Sequence, residues 1–168
     1  VVANPFAPVT LDGLVQRCIQ RAGETDAAAS YTWADMAALR CPAPLQALGR
    51  AIGADGLAEA FDRFGLTAAP ALPIPTGGGP ADIDDPALAA MGQAGLTVTP
   101  LQAALATATL ATGGQRPVPR LVEAVTDASG QWVSQPSALV GETAVSASTA
   151  VAVRETWPLS GDGGELAA

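Results

Sequence analysis

The chain contains no lysine and no histidine, and all eight of its basic residues are arginine. Arginine stays protonated at neutral pH and cannot act as a general base, the role that histidine and desolvated lysine usually fill. A serine nucleophile activated by histidine and aspartate is therefore impossible here, and so is a serine–lysine pair. The residue types thus exclude most hydrolytic and acyl-transfer chemistry from this sequence.

The two cysteines, Cys18 and Cys41, are the remaining candidates for reactive chemistry. Two cysteines without histidine make a poor zinc site, because structural zinc takes four nitrogen or sulfur ligands. They permit a disulfide in an oxidising compartment, but we favour two buried free thiols. Neither has a lysine or histidine beside it to stabilise a thiolate, so we expect neither to act as a nucleophile.

Composition narrows the class of protein further. The length of 168 residues suits one domain with a real core, and the net charge of −8 argues against nucleic-acid and anionic-membrane partners. The sequence has no apolar run of roughly 18 residues, so we expect no membrane insertion by this segment. Asp82, Asp84 and Asp85 lack the spacing of a calcium loop, and Asp85-Pro86 is more simply a helix cap and first turn.

The spacing of apolar residues along the sequence predicts a mainly helical fold. The first predicted helix starts at Thr10, has an apolar stripe that includes Leu14 and Cys18, and stops at Gly23. Further helices are predicted to begin at Thr32, Pro42, Asp55, Thr99 and Ser146.

Irregular and β segments interrupt the helices. A Pro/Gly-rich loop is predicted at about 67–84, and its three consecutive glycines are not followed by the Lys-Ser/Thr of a phosphate loop. Apolar runs at 118–125 and 131–133 flank the turn 127–130, which predicts a β-hairpin. We interpret residues 1–168 as a single domain.

One segment carries a family resemblance. Gly92-Gln93-Ala94-Gly95, followed by Val98-Thr99-Pro100-Leu101-Gln102 and an alanine-rich helix that ends at Gly113-Gly114, resembles the transpeptidase domain of penicillin-binding proteins. Ala94 is an extra residue relative to the family's GQG string. The string Arg116-Pro117-Val118-Pro119-Arg120 and the Asp-to-Gly turn after it also resemble the family's next segment.

The resemblance implies where the family's catalytic motifs would lie. The string from Asn4 to Leu11 fits the frame of the Ser-x-x-Lys motif, with Asn4 in place of the nucleophilic serine and Ala7 in place of the lysine. Arg40-Cys41-Pro42 fits the Ser-x-Asn motif, with Arg40 in place of the serine and Pro42 in place of the asparagine. The third motif, Lys-Thr-Gly, is absent from a sequence without lysine.

The expected fold class is mainly α (α+β), the helical portion of a penicillin-binding protein/serine β-lactamase-like transpeptidase domain with a small β-hairpin. We expect a pseudoenzyme, with no catalytic residues, metal or cofactor, that acts as a scaffold or interaction module in cell-wall assembly. The first alternative is a noncovalent receptor for a peptidoglycan stem peptide or a β-lactam, with Arg40 binding a carboxylate. The second alternative is part of an active D,D-transpeptidase that another segment completes.

The same resemblance implies a location and partners. Partners would be cell-wall assembly proteins or peptidoglycan fragments. The module would lie outside the cytoplasmic membrane, anchored by a segment that is not in this sequence. The start at Val1-Val2, without methionine, agrees with an excised or processed segment.

Overall fold

The computed structural model describes residues 6–11, 13–18, 32–39, 41–79, 82–93, 97–136 and 141–156. Its elements, in chain order, are β1 (Val9–Leu11), β2 (Leu14–Gln16), α1 (Trp33–Ala38), α2 (Pro42–Arg63), α3 (Pro86–Ala89), α4 (Pro100–Ala111), β3 (Ala124–Thr126), β4 (Trp132–Ser134) and α5 (Ala147–Thr156). The prediction of a mainly helical chain with a small β-hairpin is confirmed. The described residues fall into two compact units, the first containing those within 1–57, 83–93 and 151–156 and the second those within 58–82 and 97–150.

The first predicted helix is wrong, because the chain forms an antiparallel hairpin there instead. Strands β1 and β2 pair with Leu11 opposite Leu14, and Gly13 lies in the short connection between them. Gly13 has a φ of 79°, in the left-handed region that such a hairpin turn requires. The apolar residues matched a helical stripe, but Asp-Gly between short apolar runs is itself a strong hairpin signal. The predicted stop at Gly23 lies outside the described residues.

The next two predicted helix starts are confirmed. The side chains and backbones of Thr32 and Asp35 bond reciprocally at the start of α1, with Thr32 N donating to Asp35 Oδ2 over 2.7 Å and Asp35 N donating to Thr32 Oγ1 over 3.2 Å. Helix α2 begins at Pro42 and is broken at Gly53, whose φ of 78° and ψ of 171° are not helical. The helix predicted to begin at Asp55 is therefore the part of α2 that follows this kink.

Small residues bring α2 and α3 together in the first unit. A Cβ on Gly49 would lie 2.1 Å from the Pro86 carbonyl oxygen, so only glycine fits this approach. Asp85 caps α3, because its Oδ1 accepts from the backbone N–H of Ala87 over 2.8 Å. The Asp85-Pro86 segment is thus a cap and first turn, as predicted, and Ala87 and Ala89 are buried.

Helix α4 organises the second unit. Thr99 is its N-cap and Pro100 its first residue, and Thr99 and Gln102 form a complete capping box. Gly113 and Gly114 follow its end, both with positive φ. The helix predicted at Thr99-Pro100 is confirmed, as are its glycine terminators.

The Pro/Gly-rich loop lies against the start of α4 within this second unit. No helix or strand is present at 66–79 or 82–85, in agreement with the predicted loop. A Cβ on Gly77 would lie 2.9 Å from the Thr99 methyl group, and one on Gly78 would lie 2.8 Å from Gln102 Nε2. These glycines therefore allow the loop to approach the helix cap closely, which is a packing role.

The predicted hairpin and last helix are also present. Strands β3 and β4 pair with Val125 opposite Val133, and the turn between them closes with Gly130 at a φ of 82°. The strands are shorter than the apolar runs that predicted them. Ser146 caps α5, with its Oγ accepting from Thr149 N over 3.1 Å.

Candidate functional site

The position implied for the Ser-x-Asn motif lies at the start of α2. Arg40 lies outside the described residues, whereas Cys41 directly precedes the helix and Pro42 is its first residue. Cys41 is 1% exposed, and its backbone N–H donates to the Met36 carbonyl oxygen over 3.1 Å. Pro42 has neither a hydroxyl nor an amide side chain, so it can neither relay a proton nor hold a peptide substrate.

Cys41 is bonded to Cys18 in a disulfide, with 4.1 Å between their Cα atoms. The favoured interpretation of two free thiols is therefore wrong. The two residues are 23 positions apart, and the β1–β2 hairpin brings Cys18 into the first unit beside the start of α2. A sulfur in a disulfide is not a thiolate, so Cys41 is not a nucleophile while this bond is intact.

The position implied for the Ser-x-x-Lys motif lies only partly within the described residues. Asn4 lies outside the described residues, and Ala7 lies in irregular chain two residues before β1. The spacing of a serine–lysine pair depends on helical geometry, in which residues i and i+3 share a face. Ala7 precedes a strand, and the placement of the motif at Asn4 and Ala7 stays a prediction.

The carboxylates with altered acidity serve caps and turns. Hydrogen bonds from the Thr32 hydroxyl and backbone N–H lower the pKa of Asp35. Asp127 has a lowered pKa because the Ser129 hydroxyl and the backbone N–H of Gln131 donate to it, over 2.6 and 2.9 Å. Both carboxylates are ionised at neutral pH, so neither can serve as a general acid there.

A cavity of about 570 Å³ lies within the second unit, between the end of α2, helix α4 and the segment after α4. Phe64, Leu105 and Val118 contribute to its apolar lining, and Arg116 and Glu142 are its charged residues. The sequence singled out Arg116 only as part of a family string. Nothing local to that string indicates a cavity, since the other walls come from Leu105 and from residues within 64–71 and 141–142.

Within the described ranges, two further properties bear on function. No group of three His, Cys, Asp or Glu side chains is placed to hold a metal ion. No helix there is both long enough and apolar enough to cross a membrane.

A comparison with models of known protein families shows to which family the chain belongs. The family model of the penicillin binding protein transpeptidase domain matches residues 25–164. The chain belongs to this family. The family acts in cell-wall biosynthesis, and the match includes Arg40 and Pro42 but not Asn4 or Ala7. A search of curated protein sequences gave no match.

Solved structures confirm the transpeptidase-like fold. Penicillin-binding protein A from Mycobacterium tuberculosis superposes with a TM-score of 0.74 at 23% identity, over 92% of this chain and 37% of that one. The D,D-transpeptidase domain of a peptidoglycan glycosyltransferase from Eggerthella lenta gives 0.68 at 24% identity, over 89% of this chain and 40% of that one. Apo penicillin-binding protein 3 from M. tuberculosis gives 0.68 at 23%, over 89% and 34% respectively.

The chain therefore spans little more than a third of the length of its similar structures. The recognised fold is that of a transpeptidase domain, of which this chain forms a largely helical portion with small two-stranded sheets. This agrees with the expected fold class. Identities below one quarter support the shared fold alone.

Proposed function

We propose that this transpeptidase-family segment is non-catalytic and acts as a scaffold or interaction module in peptidoglycan assembly. The proposal rests on the string Arg40-Cys41-Pro42, which occupies the position that the resemblance implies for the Ser-x-Asn motif, and on the bond between the Cys41 and Cys18 sulfurs. A transpeptidase needs a hydroxyl and an amide there, and the chain has no lysine to activate a serine.

Exposed apolar side chains support the interaction role. On the β3–β4 hairpin, Trp132 is 75% exposed, and Leu121 and Val122 just before β3 are each about half exposed. These exposed apolar side chains are available to pack against the surface of a partner. A photo-crosslinking residue at Trp132 should therefore capture an identified cell-wall assembly protein, whereas one at the exposed Thr107 should not.

Covalent labelling tests the absence of catalysis. The polypeptide as the cell produces it is incubated with a fluorescent penicillin, and the acyl adduct is sought by mass spectrometry. Penicillin-binding protein A from M. tuberculosis, which has a solved penicillin G acyl-enzyme complex, is the positive control. We expect no adduct on the protein that contains this chain, and a stoichiometric adduct would refute the proposal and favour an active transpeptidase completed by another segment.

A calorimetric titration tests the receptor alternative. Soluble peptidoglycan fragments with intact stem peptides are titrated into the protein, its Arg40→Ala variant and an Arg50→Ala control, Arg50 being an exposed arginine of α2. Saturable binding that only Arg40→Ala weakens would make the receptor the better description. No binding to any of the three would favour the interaction module.

We further propose an extracytoplasmic location, and the Cys18–Cys41 disulfide supports it because disulfides persist in oxidising compartments. Alkylation of intact cells with a maleimide, followed by reduction and a second, heavier maleimide, reports the state of both sulfurs. We expect only the second reagent to label them. Labelling of both cysteines by the first reagent would contradict the location.

A further inference from the structure

The cavity of the second unit has a fixed positive charge at an otherwise largely apolar wall. Its volume of about 570 Å³ is within the range of small-molecule sites, roughly 300–1,000 Å³. Phe64, Pro70, Leu105 and Val118 supply apolar surface. Arg116 is the cation among the lining residues and Glu142 the anion.

Arg116 is held in place by several independent contacts. Its backbone N–H donates to the Glu142 carbonyl oxygen over 3.0 Å, and its Nη1 donates to the Asp62 carbonyl oxygen over 3.2 Å. Its Cδ covers Gly65, where an added Cβ would lie 3.2 Å away, and a Cβ on Gly141 would lie 1.8 Å from the Arg116 carbonyl oxygen. The guanidinium is therefore positioned by the fold.

Glu142 pairs with Arg116 but is not held in the same way. Its Oε2 lies 3.2 Å from Arg116 Nη2, and its side chain is 85% exposed against 32% for Arg116. Such an exposed ion pair contributes little stability, so the carboxylate can turn into water at small cost. The charged group that remains at the cavity when a ligand binds is therefore the Arg116 guanidinium.

We propose that this cavity binds a small molecule whose apolar chain ends in a carboxylate. The chain would lie against Phe64, Leu105 and Val118, and the carboxylate would take the place of Glu142 on Arg116. Within the part of the chain that the structure describes, hydrogen bonds to Asp62 and Glu142 use two of the five guanidinium N–H groups, so donors remain for a charge-assisted bidentate contact. A free fatty acid and an apolar peptide carboxyl terminus share this chemistry.

Calorimetric titration of the full chain with defined probes tests the proposal. The probes are decanoate for a fatty acid and N-acetyl-trileucine for a peptide terminus, with decanol, decylammonium and the peptide amide as controls without the carboxylate. We expect one of the two carboxylates to bind about tenfold or more tightly than its controls. Whichever of the two carboxylates binds shows whether the natural ligand is a fatty acid or a peptide carboxyl terminus.

Variants assign the binding to the cavity. Arg116→Gln should weaken the carboxylate about tenfold or more, whereas Arg120→Gln, which alters an arginine that does not line the cavity, should not. Glu142→Gln removes the competing carboxylate from an exposed position and should strengthen binding, a change of sign that general destabilisation cannot produce. Ala71→Trp, at an exposed lining residue, should abolish binding by filling the cavity.

Binding of neither carboxylate would overturn the proposal. So would binding that Glu142→Gln leaves unchanged or weakens, or a preference for decylammonium, since each would mean that Arg116 does not receive the ligand. Circular dichroism on each variant confirms that it folds. If Arg116→Gln does not fold, the Glu142→Gln variant still tests the proposal.

Discussion

Replacing Gln102 should destabilise the second unit through a buried hydrogen-bond network. Gln102 is fully buried, and its Nε2 lies 3.1 Å from the Leu66 carbonyl oxygen and 3.0 Å from that of Ala68. Its Oε1 accepts from the Thr99 backbone N–H over 2.9 Å. The side chain thus joins the cap of α4 to the loop that follows α2.

In Gln102→Leu, four backbone groups lose their partner, because Nε2 also lies 3.4 Å from the Gly65 carbonyl oxygen, and each buried unsatisfied group costs about 1–3 kcal/mol. Three of these groups belong to the loop, and Thr99 is itself only partly buried, so water offsets part of the loss. We expect a fall of about 3 kcal/mol or more in the free energy of unfolding. Urea unfolding followed by circular dichroism measures it.

Gln102→Glu gives the same argument a dependence on pH. The carboxyl keeps the shape of the amide but, when ionised, faces carbonyl oxygens as a buried acceptor, so its pKa in the folded state is raised above the unfolded value of about 4.3. The ionised form is therefore destabilising, and the deficit relative to wild type should shrink as the pH falls from 7 towards about 4. The loss of stability in Gln102→Leu should not depend on pH.

Gln131→Leu is the control, because Gln131 is exposed and the hydrogen bonds of its backbone are kept. It should change stability by no more than about 0.5 kcal/mol. If Gln102→Leu also stays within that margin, or if the Gln102→Glu deficit does not depend on pH, the network is not a significant source of stability and the reasoning fails.

Three further predictions concern the disulfide and the turns. Reducing the Cys18–Cys41 disulfide, which closes a loop over 23 positions, should lower the free energy of unfolding by about 3 kcal/mol, and equal urea midpoints with and without reductant would contradict this. Gly114→Ala should cost about 3 kcal/mol or more, because its Cβ would lie 2.1 Å from a carbonyl oxygen, whereas Gly113→Ala, with open space around it, should cost about 1 kcal/mol in thermal unfolding. The pKa of Asp127 should lie below its unfolded value in an NMR titration, so its contribution to stability is present above about pH 3.9 and is lost as the pH falls through the lower, folded pKa. A titration midpoint at or above the unfolded value would contradict that contribution.

Local signals in the sequence determined the helical frame and its family. Thr99, Pro100 and Gln102 specify the start of α4 within four residues, because a capping box and a first-turn proline act on the backbone beside them. The same string carried the resemblance that the family match confirms. The sequence alone also shows that this chain has no lysine or histidine, so it cannot itself supply either residue as a general base, whatever its fold.

Tertiary structure decided what depends on residues far apart. The apolar residues from Leu11 to Cys18 suit a helix or a hairpin, and the paired strands and the bond from Cys18 to Cys41 show that the hairpin forms. Arg116 is an ordinary arginine in the sequence, and contacts with distant residues, among them Asp62 and Glu142 at 54 and 26 positions away, hold it at a cavity. Such contacts follow from how the chain folds back on itself, which short-range periodicity does not encode.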